Sequence, residues 1–293
     1  MPAPPAMPAP PAMPAPRAFV IGHPIAHSRS PLLHGHWLSM LGLAGSYQRI
    51  DVAPEALGGF LTGLKDSGFA GGNITVPHKQ AALAHIRHVD AAARAIGAIN
   101  TVWLENGVLV GGNTDAEGFA ANLTDHAPDW RRRTGTALVL GAGGAARAVV
   151  HALSELGTKV LVVNRTLSHA EKLAGDFGPL VTAHGWEALP VLLARADLLV
   201  NTTALGMAGQ PPLEIDLAGL KRSALVCDIV YVPLETRLLA DARARGHGSI
   251  NGLGMLLHQA VPGFARWFGV RPTVTPQLWA LLQADIAASM AKA

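Results

Sequence analysis

An apolar run that ends in a glycine turn and restarts as a helix sets the strongest limit on what this chain can fold into. Thr136-Ala-Leu-Val-Leu140 is followed by Gly141-Ala142-Gly143-Gly144, and Ala145-Ala146-Arg147 then opens a helix-forming stretch. Gly141 permits a tight turn, and Gly143 lets the backbone approach a pyrophosphate. The free N–H groups of the helix start then face the phosphate. Ala146 takes the place of a third glycine, which the fingerprint allows. A glycine pattern alone is weak, but this one follows a strand, opens a helix and begins a strand–helix–strand unit. In that context Gly141, Ala142, Gly143, Gly144 and Ala145 read as a phosphate cradle rather than a structural turn.

The next strand, Lys159–Val163, runs into Asn164-Arg165-Thr166. A site for NAD usually carries Asp or Glu here to hold the ribose 2′-hydroxyl. This chain has neither. Asn164, Arg165 and Thr166 offer donors for a 2′-phosphate, and Arg165 can stack on adenine, so the cofactor expected is NADP. Asn201-Thr202-Thr203 ends a further strand of the same series. Strand carboxyl ends line the cofactor crevice, so Thr202 is expected beside the nicotinamide half.

Strand-like and helix-like runs alternate along the rest of the chain. Ala18–Ile21, Tyr47–Val52 and Phe69–Thr75 read as strands, and Pro31–Leu41, Pro54–Lys65 and Pro77–Ile86 as helices. Ala98–Leu104 and Val108–Gly111 flank Asn106-Gly107, a hairpin signal. A second series runs from Ala137–Leu140 through Gly143–Leu156 and Lys159–Val163 to strands at Asp197–Asn201 and Leu225–Val230. Two such series predict two α/β domains built on parallel sheets. The boundary is expected near Thr114–Gly118. The helical segments Met255–Phe268 and Pro276–Met290 can pack on either domain.

Composition narrows the class. The chain has 293 residues, enough for two domains, with 49% hydrophobic and 15% charged residues. A net charge of +3 with scattered basic residues gives no reason to invoke nucleic acid, and Arg131-Arg132-Arg133 reads as a solvated loop. The single cysteine, Cys227, excludes an internal disulfide and fits a buried position in a reducing, cytoplasmic compartment. Residues 1–16 repeat Met-Pro-Ala-Pro and read as a disordered tail without the features of a secretory signal. No stretch reaches the ~18 apolar residues of a membrane span. His23, His27, His34 and His36 cluster early, but no carboxylate or cysteine joins them, so surface or hinge histidines are expected and no metal.

A second cluster of polar residues lies outside the nucleotide series. Gly71-Gly-Asn73-Ile-Thr75-Val-Pro77-His-Lys79 suits a substrate pocket better than a core. With Pro77 at the first position of a helix, Lys79 falls in the first turn, where the positive end of the helix dipole disfavours a cation. Such a lysine is expected to release its proton readily, as a general acid–base must. A solvated lysine on an amphipathic helix is the plainer alternative. Ser28 and Ser30 can bind a carboxylate together, although Ser30 before Pro31 also reads as an ordinary N-cap. Asp115 falls at the domain junction, where it can equally cap the helix that follows.

In this order the motifs resemble the shikimate dehydrogenase family. They are Ser28-Arg-Ser30-Pro, Asn73-Ile-Thr75-Val-Pro-His-Lys79, Gly-Ala-Ile-Asn100-Thr, Asn-Thr-Asp115, the glycine turn, Asn164-Arg165-Thr166, Asp228-Ile-Val-Tyr231 and Gly252-Leu-Gly-Met255-Leu-Leu-His-Gln259. The resemblance implies a substrate domain of residues 17–115 and 252–293 and a Rossmann-type NADP domain of residues 116–251, with the active-site cleft between them. It implies that Ser28, Ser30 and Tyr231 hold the substrate carboxylate, and that Asn73, Thr75, Asn100 and Gln259 bond the ring hydroxyls. Lys79 and Asp115 become the catalytic pair, and Thr202, Ile229, Gly252 and Met255 join the cofactor contacts. The implied reaction is reversible NADP-dependent reduction of 3-dehydroshikimate to shikimate, with a small molecule as partner and a homodimer left open.

Two positions depart from the family pattern. His169 stands where a second basic residue often supports the phosphate clamp, and Val232 stands where asparagine is common. The rival readings are a dual quinate/shikimate enzyme using NAD, a methylenetetrahydrofolate dehydrogenase, and a non-catalytic NADP-binding regulator. The serine pair and the Asn73–Lys79 segment disfavour the second, and the Lys79/Asp115 pair disfavours the third.

Overall fold

The computed structural model describes residues 14–291, so most of the Pro/Ala tail expected at 1–16 lies outside the described residues. Two six-stranded sheets organise the rest. The first contains β1 (Arg17–Gly22), β2 (Ser46–Asp51), β3 (Gly71–Ile74), β4 (His88–Val89), β5 (Thr101–Glu105) and β6 (Val108–Gly112), in the order β2-β1-β3-β5-β6-β4. The second contains β7 (Thr136–Leu140), β8 (Lys159–Asn164), β9 (Val181–Gly185), β10 (Leu198–Asn201), β11 (Leu225–Asp228) and β12 (Gly248–Ile250), in the order β12-β11-β10-β7-β8-β9. The helices are α1 (Ser30–Met40), α2 (Leu57–Thr62), α3 (Ala91–Ile96), α4 (Asp115–His126), α5 (Trp130–Arg133), α6 (Gly144–Ser154), α7 (Leu167–Phe177), α8 (Leu189–Leu193), α9 (Arg237–Ala244), α10 (Leu253–Phe268) and α11 (Pro276–Met290). None among the described residues is long and apolar enough to cross a membrane.

The second sheet is parallel throughout, as its strand–helix alternation predicts. Its central strand is apolar at nearly every position because both faces are covered. Ala137 and Val139 pack with α6 and α7, while Leu138 and Leu140 point the other way toward α8 and α9. The first sheet is mixed: it contains the hairpin expected at Asn106-Gly107, and it departs from the parallel expectation also at β3. β5 runs antiparallel to β3 and to β6. The β5–β6 reversal is the hairpin at Asn106-Gly107, where both residues have positive φ (52° and 77°), the turn that matches strand twist.

α10 and α11 return to the first sheet. Leu253, Leu257, Phe264, Trp267, Leu278 and Ile286 bury against Ala18, Leu33 and Trp37. The Trp267 indole donates to the Val102 carbonyl at 2.9 Å, which fixes α10 on the sheet. α4 packs against both α10 and α6 and so touches both halves. Gly118 makes the α4–α10 approach feasible: a Cβ there would sit 2.8 Å from the Gln259 backbone nitrogen. The arginine run, expected as a loop, forms the short helix α5, with Arg133 3.6 Å from Asp129.

The early histidines do not all lie at the surface. His34 is fully buried, stacked on Tyr47 at 4.0 Å, and neither ring nitrogen has a well-formed hydrogen bond. Helical spacing explains the correction: Leu33, His34, Trp37 and Leu38 form the inward face of α1. Burial pushes the His34 imidazole down to about 3 from 6.5, with the Asn73 side chain opposing. The unfolded chain therefore binds a proton below pH 6.5 that the folded chain refuses until about 3. Stability should fall as pH drops through that window. His34→Phe retains the stacking and removes the titration. Urea unfolding across a pH series should show a shallower acid loss for this variant than for the wild type.

Candidate active site

Lys79 is not in a helix. Residues 77–80 form turns, and the one helical element between β3 and β4 is a single 3-10 turn at Ala81–Ala84. The helix expected at Pro77–Ile86 fails because tertiary bonds claim its backbone. The Lys79 carbonyl accepts from Ile99 N–H at 2.7 Å, and Leu83 N–H bonds Gln80. No helix dipole therefore acts on Lys79. A direct ion pair replaces it: Lys79 Nζ lies 2.6 Å from Asp115 Oδ2. Asp115 is 2% exposed and Lys79 23%, so the carboxylate is enclosed and the ammonium faces the opening.

Asp115 opens α4 but does not cap it. Its second oxygen accepts from Asn100 Nδ2 at 2.8 Å, and its backbone N–H is held by Asn113 Oδ1 at 2.9 Å. Asn100 Oδ1 accepts from Thr114 N–H at 2.9 Å and from the Thr101 hydroxyl at 2.8 Å. Asn73 donates to Thr101 Oγ1 and to the Asn100 carbonyl, and accepts from the Tyr47 phenol at 2.6 Å. A buried carboxylate is costly unless it is paired and hydrogen-bonded, and this one is both. The structure thus brings Lys79, Asp115, Asn100 and Asn73 into one network.

The serine loop approaches from the end of β1. Ser30 is the first residue of α1 rather than its cap, and α1 has no side-chain cap bond. The Ser30 side chain sits against the Tyr47 phenol instead. Arg49 clamps the Ser28 carbonyl at 2.8 and 2.5 Å. Arg29 ties the loop to α11 through Asp285 and Ser289, both at 2.8 Å. Arg29 also meets Tyr231, whose phenol is pushed up by burial with Arg29 opposing. Tyr231 therefore reaches the serine loop from the end of the other sheet. Thr75 continues β3, its N–H bonding the Ile21 carbonyl at 2.9 Å. Gln259 lies on α10 against Gly118, within the first turn after Asp115.

On the opposite side, Gly141 takes φ +104°, a conformation open to glycine. A Cβ there would also approach Thr202 Oγ1 to 2.8 Å. Gly143 and Gly144 face open space, and α6 begins at Gly144 without a side-chain cap. Its first N–H groups are thus available to an anion. Ala142 and Ala145 flank this opening, half-buried. Asn164 Nδ2 bonds the Thr166 carbonyl at 2.8 Å and shapes the turn that exposes Arg165. Ile229 and Gly252 touch closely enough that a Cβ at Gly252 would collide with the Ile229 carbonyl. Met255, buried, follows on α10. Beneath these loops Asp228 accepts from Asn201, Val230 N–H and Thr236, and burial raises its pKa against those bonds.

Further residues belong here: Thr101, Thr114 and Arg29 lie within motifs already read in the sequence, whereas Tyr47 was read only as the start of a strand. Tyr47, Thr101 and Thr114 complete the polar network, and Arg29 joins its two sides. Arg147, next to the glycine turn, binds the Ile96 carbonyl at the end of α3 and Asp176 at 2.7 Å. The chain has only two tyrosines, Tyr47 and Tyr231, and both are in the site, which was an available signal.

Residues 20–102 match the model of the shikimate dehydrogenase substrate binding domain, and residues 126–209 match that of shikimate / quinate 5-dehydrogenase. A relative in Mesorhizobium japonicum, named shikimate dehydrogenase (NADP(+)), is 59% identical over 92% of this chain and 96% of its own. This chain belongs to the shikimate dehydrogenase family. Among solved structures of the shikimate dehydrogenase fold, the Thermus thermophilus shikimate 5-dehydrogenase in complex with NADP(H) and shikimate is 40% identical. It covers 92% of this chain and 99% of its own, with a TM-score of 0.83. The quinate dehydrogenase of Corynebacterium glutamicum in complex with NAD is 32% identical, covering 92% and 99%, with a TM-score of 0.85. Asp115, Tyr231 and Gln259 fall outside both matched spans of the family models, so their place in the site rests on the contacts above.

Gly141→Ala tests the turn. The substitution forces an unfavourable φ and a clash with Thr202, at a cost of ~1–3 kcal/mol. Denaturant unfolding should show that loss, and titration with a dinucleotide should show weakened binding.

Proposed function

We propose that this protein catalyses the reversible NADP-dependent reduction of 3-dehydroshikimate to shikimate. The observation that carries the reading is the 2.6 Å contact between Lys79, in the loop after β3, and the buried Asp115, which opens α4. We assign residues 17–115 and 252–293 to the substrate half and 116–251 to the cofactor half. The packing of α10 and α11 on the first sheet supports that division.

The cofactor pocket fits NADP by its donor set. The open glycine turn can take the pyrophosphate, with Gly141 to Ala145 in contact, and Asn164, exposed Arg165 and Thr166 can take the 2′-phosphate. Thr202, Ile229, Gly252 and Met255 are assigned to the nicotinamide end. Bound NADPH supplies the hydride. The carbonyl oxygen of the substrate then gains negative charge and needs a proton. Lys79 Nζ supplies it, and Asp115 holds the ammonium in place and accepts from the emerging hydroxyl. Oxidation of shikimate reverses these steps, with neutral Lys79 taking the proton. Ser28, Ser30 and Tyr231 are assigned to the carboxylate, and Asn73, Thr75, Asn100 and Gln259 to the ring hydroxyls. A site built to bond hydroxyls rejects analogues that lack them.

Buried Cys227, the one cysteine, agrees with a reducing cytoplasmic location. A homodimer is compatible with this reading and is decided by mass measurement in solution.

The deciding experiment follows NAD(P)H absorbance with shikimate or quinate against NADP or NAD. Turnover confined to shikimate with NADP is expected. Comparable rates with quinate or NAD would move the protein toward the quinate dehydrogenase it resembles in fold. Lys79→Met should lower kcat at least ~100-fold with cofactor binding retained. Near-normal kcat would remove Lys79 from proton transfer. Arg165→Ala should raise KM for NADP far more than KM for NAD, and equal effects would show that Arg165 does not read the 2′-phosphate.

A further inference from the structure

The polar network around Asp115 has a direction, set at Asn100 by two neighbours that cannot change roles. Asn100 lies between a backbone N–H, which only donates, and a carboxylate, which only accepts. Thr114 N–H reaches Asn100 Oδ1 at 2.9 Å, and Asn100 Nδ2 reaches Asp115 Oδ1 at 2.8 Å. The orientation of this amide is therefore determined. The Thr101 hydroxyl, 2.8 Å from Asn100 Oδ1, must then donate to it. Its lone pairs are left to accept from Asn73 Nδ2 at 3.2 Å. The Asn100 carbonyl, 3.1 Å from the same nitrogen, demands a donor as well. Asn73 Oδ1 consequently faces the Tyr47 phenol at 2.6 Å, and the phenol must donate.

Four bonds in series point one way, Tyr47 to Asn73, Asn73 to Thr101, Thr101 to Asn100 and Asn100 to Asp115, with the Thr114 hydroxyl beside the Asn100 amide at 3.0 Å from its nitrogen and 3.2 Å from its oxygen. Lys79 donates to the far oxygen of that carboxylate. We infer that Tyr47 and Thr101 are positioning residues, which set the two asparagine amides so that Asp115 is met by a fixed donor opposite Lys79. The inference deepens the proposed function and rests on it for the identity of the reaction. It also assigns what Asn73 has left to offer a ligand. Its amide nitrogen already donates to the Asn100 carbonyl and to Thr101, so toward a substrate hydroxyl Asn73 acts through Oδ1, as an acceptor.

The surroundings of Tyr47 suit a permanent donor. Burial raises its pKa well above the ordinary phenol value, with Ser30 and Asn73 opposing, so the proton stays on the oxygen. His34 stacks on the ring at 4.0 Å and burial keeps it uncharged, so the Tyr47 phenol faces no buried cation. Tyr47 also touches Ser30, which links the carboxylate anchor to the same chain of donors.

Thr101→Val keeps the shape of the side chain and removes the hydroxyl, while Thr101→Ser keeps the hydroxyl. Thr101→Val should lower kcat for shikimate oxidation by at least about 10-fold, with KM for NADP unchanged. Thr101→Ser should restore most of the loss, whereas a merely structural role would leave both variants equally impaired. Hydrogen exchange of the Asn73 and Asn100 side-chain amides, read by NMR on the intact protein, tests the relay without turnover. Exchange should accelerate at both amides in Thr101→Val and at Asn73 in Tyr47→Phe. Wild-type kcat and unchanged exchange in Thr101→Val would overturn the relay. A wild-type protein inert toward shikimate and NADP would instead overturn the proposed function, and the exchange comparison would still decide the relay.

Discussion

The buried carboxylate of Asp115 is the constraint on which the rest of the structure depends. A charge this enclosed must be matched on every side. Lys79, from the loop after β3, supplies the opposing charge, and Asn100, just before β5, supplies the neutral donor. The position adds a third contribution, since the first residue of α4 lies at the positive end of a helix dipole. Three separate pieces of the first sheet are drawn to one point by this requirement. The helix that carries the aspartate also packs against α10 and α6, so the same residue fixes the chemistry and the joint between the halves.

The nucleotide half was largely legible in the sequence, because local chemistry decides it. A strand, a glycine turn and a helix follow one another within twelve residues, and β7 is apolar at the positions that both faces bury. The first half was legible in its motifs but not in all its geometry. The hairpin at Asn106-Gly107 could be read from two residues, yet its effect on strand direction involves β3, thirty-odd residues earlier in the chain. Pro77 looked like a helix start, and the deciding bond, Lys79 carbonyl to Ile99 N–H, is made by a residue twenty positions away. Local propensity cannot register such a competitor.

The site shows the same division. Lys79, Asp115, Asn73 and Asn100 sit in polar, glycine-rich stretches that stand out against an apolar chain. Tyr47 stands out only by the rarity of its residue type, and its role appears only when β2 is laid beside β1 and β3. His34 was misleading for a related reason. Among four histidines spaced along one segment, only its place on the inward face of α1 separates it from the exposed ones. The loops at the ends of β10 and β11 owe their shape to Asn201 and Asp228, whose motifs were legible in the sequence but whose mutual hydrogen bond, made across two strands, was not.

The return of α10 and α11 to the first sheet has a mechanical consequence. The chain crosses between the halves twice, once along α4 and once between β12 and α10. Two covalent crossings act like two pins in a door. Relative motion that strains neither is a rotation about the line through both, which widens or narrows the mouth while leaving strand register within each sheet untouched. Gly252 stands at one pin, pressed against the Ile229 carbonyl, with no room for a side chain to obstruct the turn.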